Sequence, residues 1–349
     1  MRHGRTEGAH ITIDGKSMLN LCSNDYLGIG ATHIPQGQIQ SSSRLLAGND
    51  ESYMKLEDTL AAHKSHESSL VYPTGYMANM GAISAVASKG DLICSDELNH
   101  ASIIDACRIT GATISIYKHN DMDELNSKIR RDAKNKFIVC EGIFSMDGDY
   151  SNLAQISETA RKEGAITILD DAHGDFAVGN DGRGTPAELG SSVDLYVSSL
   201  SKGLGSFGGY IASQKNIIDL CVNCSRQFIY TSALPRQLVE HAAERLDSDR
   251  SGHQATLRKN IGLLSKGLEQ LGYSTGSTHI MPIHVGDEKT AVKYGQFLFE
   301  RGVFAQPVRY PTVPLGEARL RISVTAWLSS KDIDFALGVF EAARTRFSA

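Results

Sequence analysis

The chain has 349 residues, which is enough for one large domain and a second, smaller one. A net charge of −5 at pH 7 offers no basic surface for nucleic acid, and no apolar run is long enough for a membrane span. The polar start MRHGRTEGAH lacks the apolar stretch of a signal peptide, and the scattered cysteines are typical of reduced thiols, so we expect a cytoplasmic location. The pair Cys221-x-x-Cys224 stands without a second pair, and we expect no metal there.

The first hundred residues contain two features that could hold a ligand. Residues 10–30 predict a hairpin that turns at Asp14-Gly15 and ends in a polar loop around Asn24. An amphipathic helix follows, with Asp50 or Ser52 as its cap. A second helix is expected to begin at Thr74-Gly75 and run to residue 86, and the free amides of its first turn suit a phosphate.

Strands and helices then alternate regularly. Strands are predicted at 91–94, 112–117, 136–141 and 165–170, and helices at 101–110, 121–132 and 154–164. This alternation predicts an α/β fold with a mostly parallel sheet covered by helices, whose ligand lies at the carboxyl ends of the strands. After Pro235 a long helical stretch, 238–271, leads into an α+β region. We expect an N-terminal segment (1–40), a large domain (41–236) and a small C-terminal domain (237–349).

The stretch VDLYVSSLSKGLGSFGGYI, residues 193–211, contains the most informative residue, Lys202. A lysine amine traps a carbonyl when it is partly desolvated and its pKa is lowered. The small serines and glycines around it suit a phosphate lying beside the amine. This pairing is what a Schiff base with pyridoxal 5'-phosphate (PLP) requires. When only this stretch is considered, the alternative is that Lys202 is an ordinary lysine in a solvated loop.

Gly203 to Gly208 in the same stretch match G-x-G-x-x-G, which raises a dinucleotide-binding oxidoreductase as a rival. The residues that follow, 209–213, predict a strand where a dinucleotide unit needs a helix, and the expected acidic residue about 20 positions on is missing. The rival is therefore disfavoured. A PLP-binding protein without activity, acting in a complex, is a further alternative.

Eight motifs together resemble the α-oxoamine synthase family of fold-type I PLP enzymes. They run in order from the first loop to the last strands: NDYLG (24–28), TGYMAN (74–79), NHASIID (99–105), EGIFSMDGD (141–149), DDAHG (170–174), SSLSKG (198–203), FIYTSALP (228–235) and PTVP (311–314) followed by ARLRIS (318–323). The resemblance covers the chain from about Leu19 to its end. It implies a fold-type I transferase with PLP as cofactor.

The resemblance also implies a role for each matching position. Around the cofactor it assigns Lys202 to the Schiff base and to proton transfer at the substrate Cα, Asp170 to the pyridine nitrogen, His173 and Ser145 to the phenolic oxygen, His100 to the face of the ring, and Gly75, Tyr76 and Ser199 to the phosphate. Thr231 and Ser232 are assigned to the phosphate of a neighbouring subunit, which implies a homodimer with shared sites. Asn24, Thr312 and Arg321 are assigned to the substrate, with the guanidinium on the amino acid carboxylate.

Taken singly, several of these residues have plainer explanations. Asp170 and His173 also suit hydrogen bonding at a strand end, and His100 also suits a helix cap. Arg321 lies in an alternating run that fits a solvated strand face equally well. Their joint occurrence in one order favours the cofactor site.

The implied reaction is a decarboxylative condensation of an amino acid with an acyl-CoA thioester, which yields an α-amino ketone. Two branches of the family compete. PTVP, the DAH of 171–173 and FIYT favour the branch that joins L-alanine to pimeloyl-CoA in biotin synthesis, whereas NHASIID is also found in the branch that joins glycine to acetyl-CoA. A short stretch before Asn24, a short segment at 32–46 and Tyr53 in the place of a histidine depart from the family pattern. These departures leave the acyl chain length open.

Overall fold

A computed structural model describes residues 3–30 and 41–347, which form two compact units. The large unit comprises residues 41–144 and 150–249, and the small unit residues 3–30, 145–149 and 250–347. Part of the expected N-terminal segment, and most of the segment at 32–46, lies outside the described residues. The break between the units falls after Asp249 and not at residue 236.

The large unit is built on a seven-stranded sheet. Its strands are β4 (Ser68–Tyr72), β5 (Leu92–Asp96), β6 (Thr113–Tyr117), β7 (Lys136–Glu141), β8 (Ile166–Asp170), β9 (Leu195–Ser199) and β10 (Gly209–Ser213). Its helices are α1 (Glu51–Lys64), α2 (Gly75–Val86), α3 (Ala101–Thr110), α4 (Met122–Lys128), α5 (Leu153–Glu163), α6 (Thr185–Glu188), α7 (Lys215–Cys224), α8 (Arg226–Ile229) and α9 (Arg236–Asp247), with a 3-10 turn at Asn180–Gly182. The strand order is β4-β10-β9-β8-β7-β5-β6.

The prediction of a mostly parallel sheet is confirmed. Strands β9, β8, β7, β5 and β6 pair in parallel, and β10 runs antiparallel between β4 and β9. Val139, Ile168 and Val197 pack in the centre of one buried cluster, so the helices cover a continuous apolar face. Because β10 follows the glycine-rich turn, a helix cannot begin there, which argues against the dinucleotide rival.

The small unit combines segments from both ends of the chain. Its strands are β1 (His3–Glu7), β2 (His10–Ile13), β3 (Lys16–Asn20), β11 (Ile280–Gly286), β12 (Val303–Phe304), β13 (Gln306–Val308) and β14 (Ala318–Ser323), and its helices are α10 (Ser251–Gln270), α11 (Glu288–Glu300) and α12 (Ser330–Phe347). Strand β12 pairs in parallel with β3, and β11, β14 and β13 form a separate antiparallel sheet. No helix within residues 3–30 and 41–347 is long and apolar enough to cross a membrane.

The helical stretch expected over 238–271 consists of two helices. Helix α9 ends at Asp247, where the backbone of Ser248 turns to an extended conformation, and α10 starts at Ser251. The Ser248 hydroxyl donates to the Arg245 carbonyl, which satisfies one of the last carbonyls of α9. The break coincides with the boundary between the two units.

Candidate active site

A cavity of about 210 Å³ lies in the large unit at the carboxyl ends of its central strands. It brings together most of the cofactor residues expected from the sequence: Gly75, Tyr76, His100, Asp170, His173, Ser199 and Lys202. They come from four separate places in the chain: the ends of β8 and β9 with the turns that follow them, and the starts of α2 and α3. The carboxyl ends of parallel strands form the ligand site of open α/β sheets, so the position agrees with the fold.

Asp170 is the last residue of β8 and is almost fully buried. One carboxylate oxygen accepts the N–H of Ala172 at 3.0 Å, and the other accepts the side-chain amide of Asn79 at 2.6 Å. Two N–H donors hold the carboxylate in place. A fixed carboxylate of this kind can keep a proton on a heteroaromatic nitrogen that binds next to it.

Lys202 lies in the turn between β9 and β10, half-buried, with its Nζ 2.9 Å from His173 Nε2. The turn is held by hydrogen bonds from Leu200 N–H to Gly208 O and from Ser206 N–H to Leu200 O, at 3.0 and 2.9 Å. Gly208 has φ 121°, a conformation that residues with a side chain rarely adopt. The glycine-rich sequence therefore serves to place the lysine amine at the strand end.

His100 caps the N-terminus of α3 and lies at the rim of the cavity. Its Nδ1 accepts the backbone N–H of Ser102 at 3.3 Å and lies 2.8 Å from the Ser102 hydroxyl. Partial burial, which disfavours the charged ring, lowers the pKa of His100; the nearby Asp170 carboxylate opposes this shift. His100 is thus both a helix cap and a cavity residue, the two positions that its sequence context suggested.

The phosphate end of the cavity is formed by the start of α2 and by Ser199. Thr74 caps the helix by accepting the N–H of Met77 at 3.1 Å, and the first amides of a helix have no carbonyl partner within it. A Cβ added at Gly75 would lie 3.1 Å from Ser199 Cβ, and one added at Gly209 would overlap the backbone nitrogen of Gly75. The absence of side chains at these glycines lets the start of α2 pack closely against β9 and β10.

Two predicted residues of the large unit do not line this cavity. Thr231 lies near Met77, with its hydroxyl 3.9 Å from the sulfur, and Ser232 forms a β-bridge with Ser43. Both are part of the large unit and follow α8. Their assignment to a neighbouring subunit remains a prediction.

The other predicted residues belong to the small unit, which brings three of them together. Arg321 on β14 donates from Nε to the Ser145 carbonyl at 2.6 Å, and from Nη1 to Asn24 Oδ1 at 3.2 Å and Ser323 Oγ at 2.7 Å. The guanidinium is half-buried and held from several sides, unlike a side chain on a solvated strand face. Thr312 is exposed in the turn between β13 and β14.

Three cavity residues were missed from the sequence: Asn79, Ser102 and Glu141. Each lies inside a motif that carries the family resemblance, but none of the three had an assigned role. One signal was available for Asn79, because it follows Gly75 by one helical turn and must share its face of α2.

Comparisons with known proteins identify the family and the fold. The profile of the aminotransferase class I and II family matches residues 16–340. The chain is similar to the 8-amino-7-oxononanoate synthase of Thermoanaerobacter pseudethanolicus, at 39% identity over 96% of this chain and 89% of that protein. Its fold is similar to a Sphingomonas wittichii serine palmitoyltransferase (TM-score 0.93, 31% identity, 98% of this chain and 90% of that one). A second serine palmitoyltransferase structure, solved with its PLP internal aldimine, has a TM-score of 0.93 and 29% identity over 98% of this chain and 91% of that one.

The chain therefore belongs to the aminotransferase class I and II family of fold-type I PLP enzymes and, within it, to the α-oxoamine synthases, which are acyltransferases. The residues of the cavity fit PLP. The buried Asn79 Oδ1 has no hydrogen-bond partner among the described residues, and a lysine, a carboxylate and the N-terminus of α2 line the same cavity. This donor set suits an aldehyde, an anion and a ring nitrogen together.

Proposed function

We propose that this enzyme condenses L-alanine with pimeloyl-CoA to give 8-amino-7-oxononanoate, CoA and CO2, a reaction of biotin synthesis. The observation that carries the proposal is the 39% identity to a protein named 8-amino-7-oxononanoate synthase over 96% of the chain. The motif Pro311-Thr312-Val313-Pro314 supports the same branch of the family.

Bound PLP supplies an electron sink for the negative charge that develops at the amino acid Cα. Lys202 is the proposed attachment point and, once its amine is released, the base that takes the Cα proton and later returns it. The 2.9 Å contact with His173 Nε2 supports this role, because a neighbouring imidazole holds the amine in one place. Asp170, fixed by two N–H donors, is proposed to keep the ring nitrogen protonated.

Arg321 and Asn24 are proposed to bind the carboxylate of the amino acid. The contacts within the small unit support this role, since they hold the guanidinium through carbonyl, amide and hydroxyl oxygens and leave its charge for a substrate carboxylate. A planar guanidinium binds a carboxylate with two parallel hydrogen bonds. Release of CO2 from the condensation product requires that this carboxylate be held in a fixed orientation.

A homodimer is proposed as the working assembly. The β-bridge between Ser43 and Ser232 brings an exposed apolar patch together: Leu45, Leu46 and Tyr230 are 59%, 81% and 70% exposed. A second copy that covers this patch would bury apolar area next to Thr231 and Ser232. Coexpression tests the sharing of sites: Lys202→Ala combined with Thr231→Ala/Ser232→Ala should restore activity, because each mixed dimer has one intact site. If the two inactive variants remain inactive when they are coexpressed, the sharing of sites is contradicted.

The free state of all six cysteines supports a cytoplasmic location, since disulfides are rare in that compartment.

Two observations favour a second candidate function. The likeness to serine palmitoyltransferases, at a TM-score of 0.93 and 31% identity, favours serine and a long acyl chain, and NHASIID is shared with the branch that uses glycine and acetyl-CoA. These reactions use the same cofactor residues and differ in the amino acid and acyl pockets.

The decisive experiment measures release of the CoA thiol from purified, PLP-loaded enzyme. L-Alanine, glycine and L-serine are each combined with pimeloyl-CoA, acetyl-CoA and palmitoyl-CoA. Sustained turnover with L-alanine and pimeloyl-CoA alone supports the proposal, and preference for another pair overturns it. Lys202→Ala should abolish release, whereas Lys215→Ala, which removes an exposed lysine from α7, should leave it unchanged.

A further inference from the structure

A continuous chain of hydrogen bonds joins two cavity residues that are distant in sequence, Asp170 and His100. The Asn79 side-chain amide lies 2.6 Å from Asp170 Oδ2 and 3.0 Å from Ser102 Oγ. The Ser102 hydroxyl lies 2.8 Å from His100 Nδ1. We infer that Asn79 and Ser102 are positioning residues that fix His100 as the neutral tautomer with its proton on Nε2. This inference rests on the proposed function only for its effect on catalysis.

The direction of each bond follows from its two ends. A carboxylate can only accept, so Asn79 donates one of its amide hydrogens to Asp170 and the other to Ser102 Oγ. At the opposite end the backbone N–H of Ser102 points at His100 Nδ1 at 3.3 Å, and a backbone N–H can only donate. Nδ1 must therefore be an acceptor. The Ser102 hydroxyl, which already accepts from Asn79, turns its single proton to Nδ1.

Burial shields the bonds among Asp170, Asn79 and Ser102 from competition with water, whereas His100 is exposed at the rim of the cavity. Ser102 is fully buried, and Asn79 and Asp170 are 2% and 7% exposed. Asn79 Oδ1 is also buried and has no hydrogen-bond partner among the described residues, so the amide is used here as a donor. Aspartate at this position would repel Asp170, and leucine of similar size could donate to neither partner. An asparagine is the residue that this donor pattern requires.

Two consequences follow for His100 at the rim of the cavity. Its Nε2–H is the group left to donate to a ligand, and its ring stays neutral because a second proton would have to occupy Nδ1, facing the N–H of Ser102. The lowered pKa of His100 agrees with this arrangement. A neutral ring covers the cofactor without adding a positive charge that would compete with the protonated ring nitrogen for Asp170.

The test reads the tautomer directly in the protein without cofactor, by long-range 1H–15N NMR of the enzyme labelled at histidine nitrogen. The His100 signals are assigned by their loss in His100→Asn. Wild type should show the Nε2–H form at pH 7.5. Ser102→Ala should raise the population of the Nδ1–H form at least about threefold, and Asn79→Ala should change it in the same direction, because the freed hydroxyl can rotate. Ser84→Ala, on the outer part of α2, is the matched control and should change nothing.

A dominant Nδ1–H form in wild type, or unchanged tautomers in a folded Ser102→Ala protein with a wild-type circular dichroism spectrum, overturns the inference. In the loaded enzyme Asn79→Ala should lower kcat about tenfold to a hundredfold, the effect of losing a hydrogen bond to a charged group, with little change in KM for the amino acid. Asn79→Asp should lower kcat to the same extent as Asn79→Ala. The pH profile of kcat should also shift. If the tautomer result holds and the thiol-release assay fails for every substrate pair, the positioning role stands and the proposed function falls.

Discussion

The buried ion pair of Lys64 and Asp175 lies beside β9, the strand that precedes Lys202, and tests what stabilises the large unit there. Lys64 Nζ contacts the Asp175 carboxylate and lies 3.0 Å from both the Arg183 carbonyl and the Tyr196 hydroxyl. The lysine side chain is 2% exposed and that of Asp175 is fully buried. Lys64→Met keeps the apolar stem but leaves the Asp175 charge with only N–H and O–H donors around it.

The expected loss of stability is large. Removing one partner of a buried pair costs about 3–5 kcal/mol, because the other charge remains without compensation. For a unit of this size that corresponds to a fall of roughly 6–20 °C in the unfolding midpoint. Part of the Asp175 charge is still stabilised by Tyr210 O–H at 2.6 Å and Phe176 N–H at 3.0 Å, which places the loss nearer the lower end.

Thermal unfolding of the cofactor-free enzyme, followed by circular dichroism, measures the effect. Lys162→Met is the matched control, because Lys162 pairs with Glu158 at 2.7 Å on the exposed face of α5 and its loss should hardly change the midpoint. The double variant Lys64→Met/Asp175→Asn should recover part of the loss, since the uncompensated charge is gone. Equal midpoints for Lys64→Met and Lys162→Met, or a double variant worse than both single changes added, would refute the reasoning.

Three further predictions concern the two units separately. Lys202→Ala should bind PLP without a covalent bond, so that borohydride no longer links the cofactor to the chain, and multiple turnovers by this variant would contradict the role of the lysine. Arg321→Ala should weaken amino acid binding about tenfold to a hundredfold in a spectral titration while PLP affinity stays the same; an unchanged amino acid affinity removes Arg321 from the site. Burial raises the pKa of Asp171 from 3.8 to about 7, so the folded state holds its proton more tightly than the unfolded state. Its contribution to stability is present below about pH 4 and is lost as the pH rises to 7; the advantage of wild type over Asp171→Asn in unfolding midpoint should therefore shrink over that range, and a constant difference would show that Asp171 does not titrate there.

The sequence alone predicts most elements of the large unit to within a few residues. Helix α3 and strand β7 have the bounds that were expected, and Asp50 caps α1 by accepting the N–H of Ser52 at 2.9 Å. These elements are encoded locally, because apolar periodicity and caps act over a few residues. Lys202, Asp170 and His173 were predicted from their places at strand ends and His100 from the family resemblance, and the structure places all four at one cavity.

Longer-range features required the tertiary structure. The parallel pairing of Leu19 with Val303, which builds the small unit from both ends of the chain, depends on register between segments that no local pattern connects. The sequence predicted a helical stretch over 238–271 without placing the break that the structure shows between Asp247 and Ser251. Asn79 and Ser102 were present in the motifs, but the roles proposed for them follow only from the hydrogen bonds that join α2 to α3 and to the end of β8. Sequence determined which chemical groups the cavity contains, and the tertiary structure decided which of them share a hydrogen bond, because hydrogen-bond geometry depends on distances of a few tenths of an ångström between distant segments.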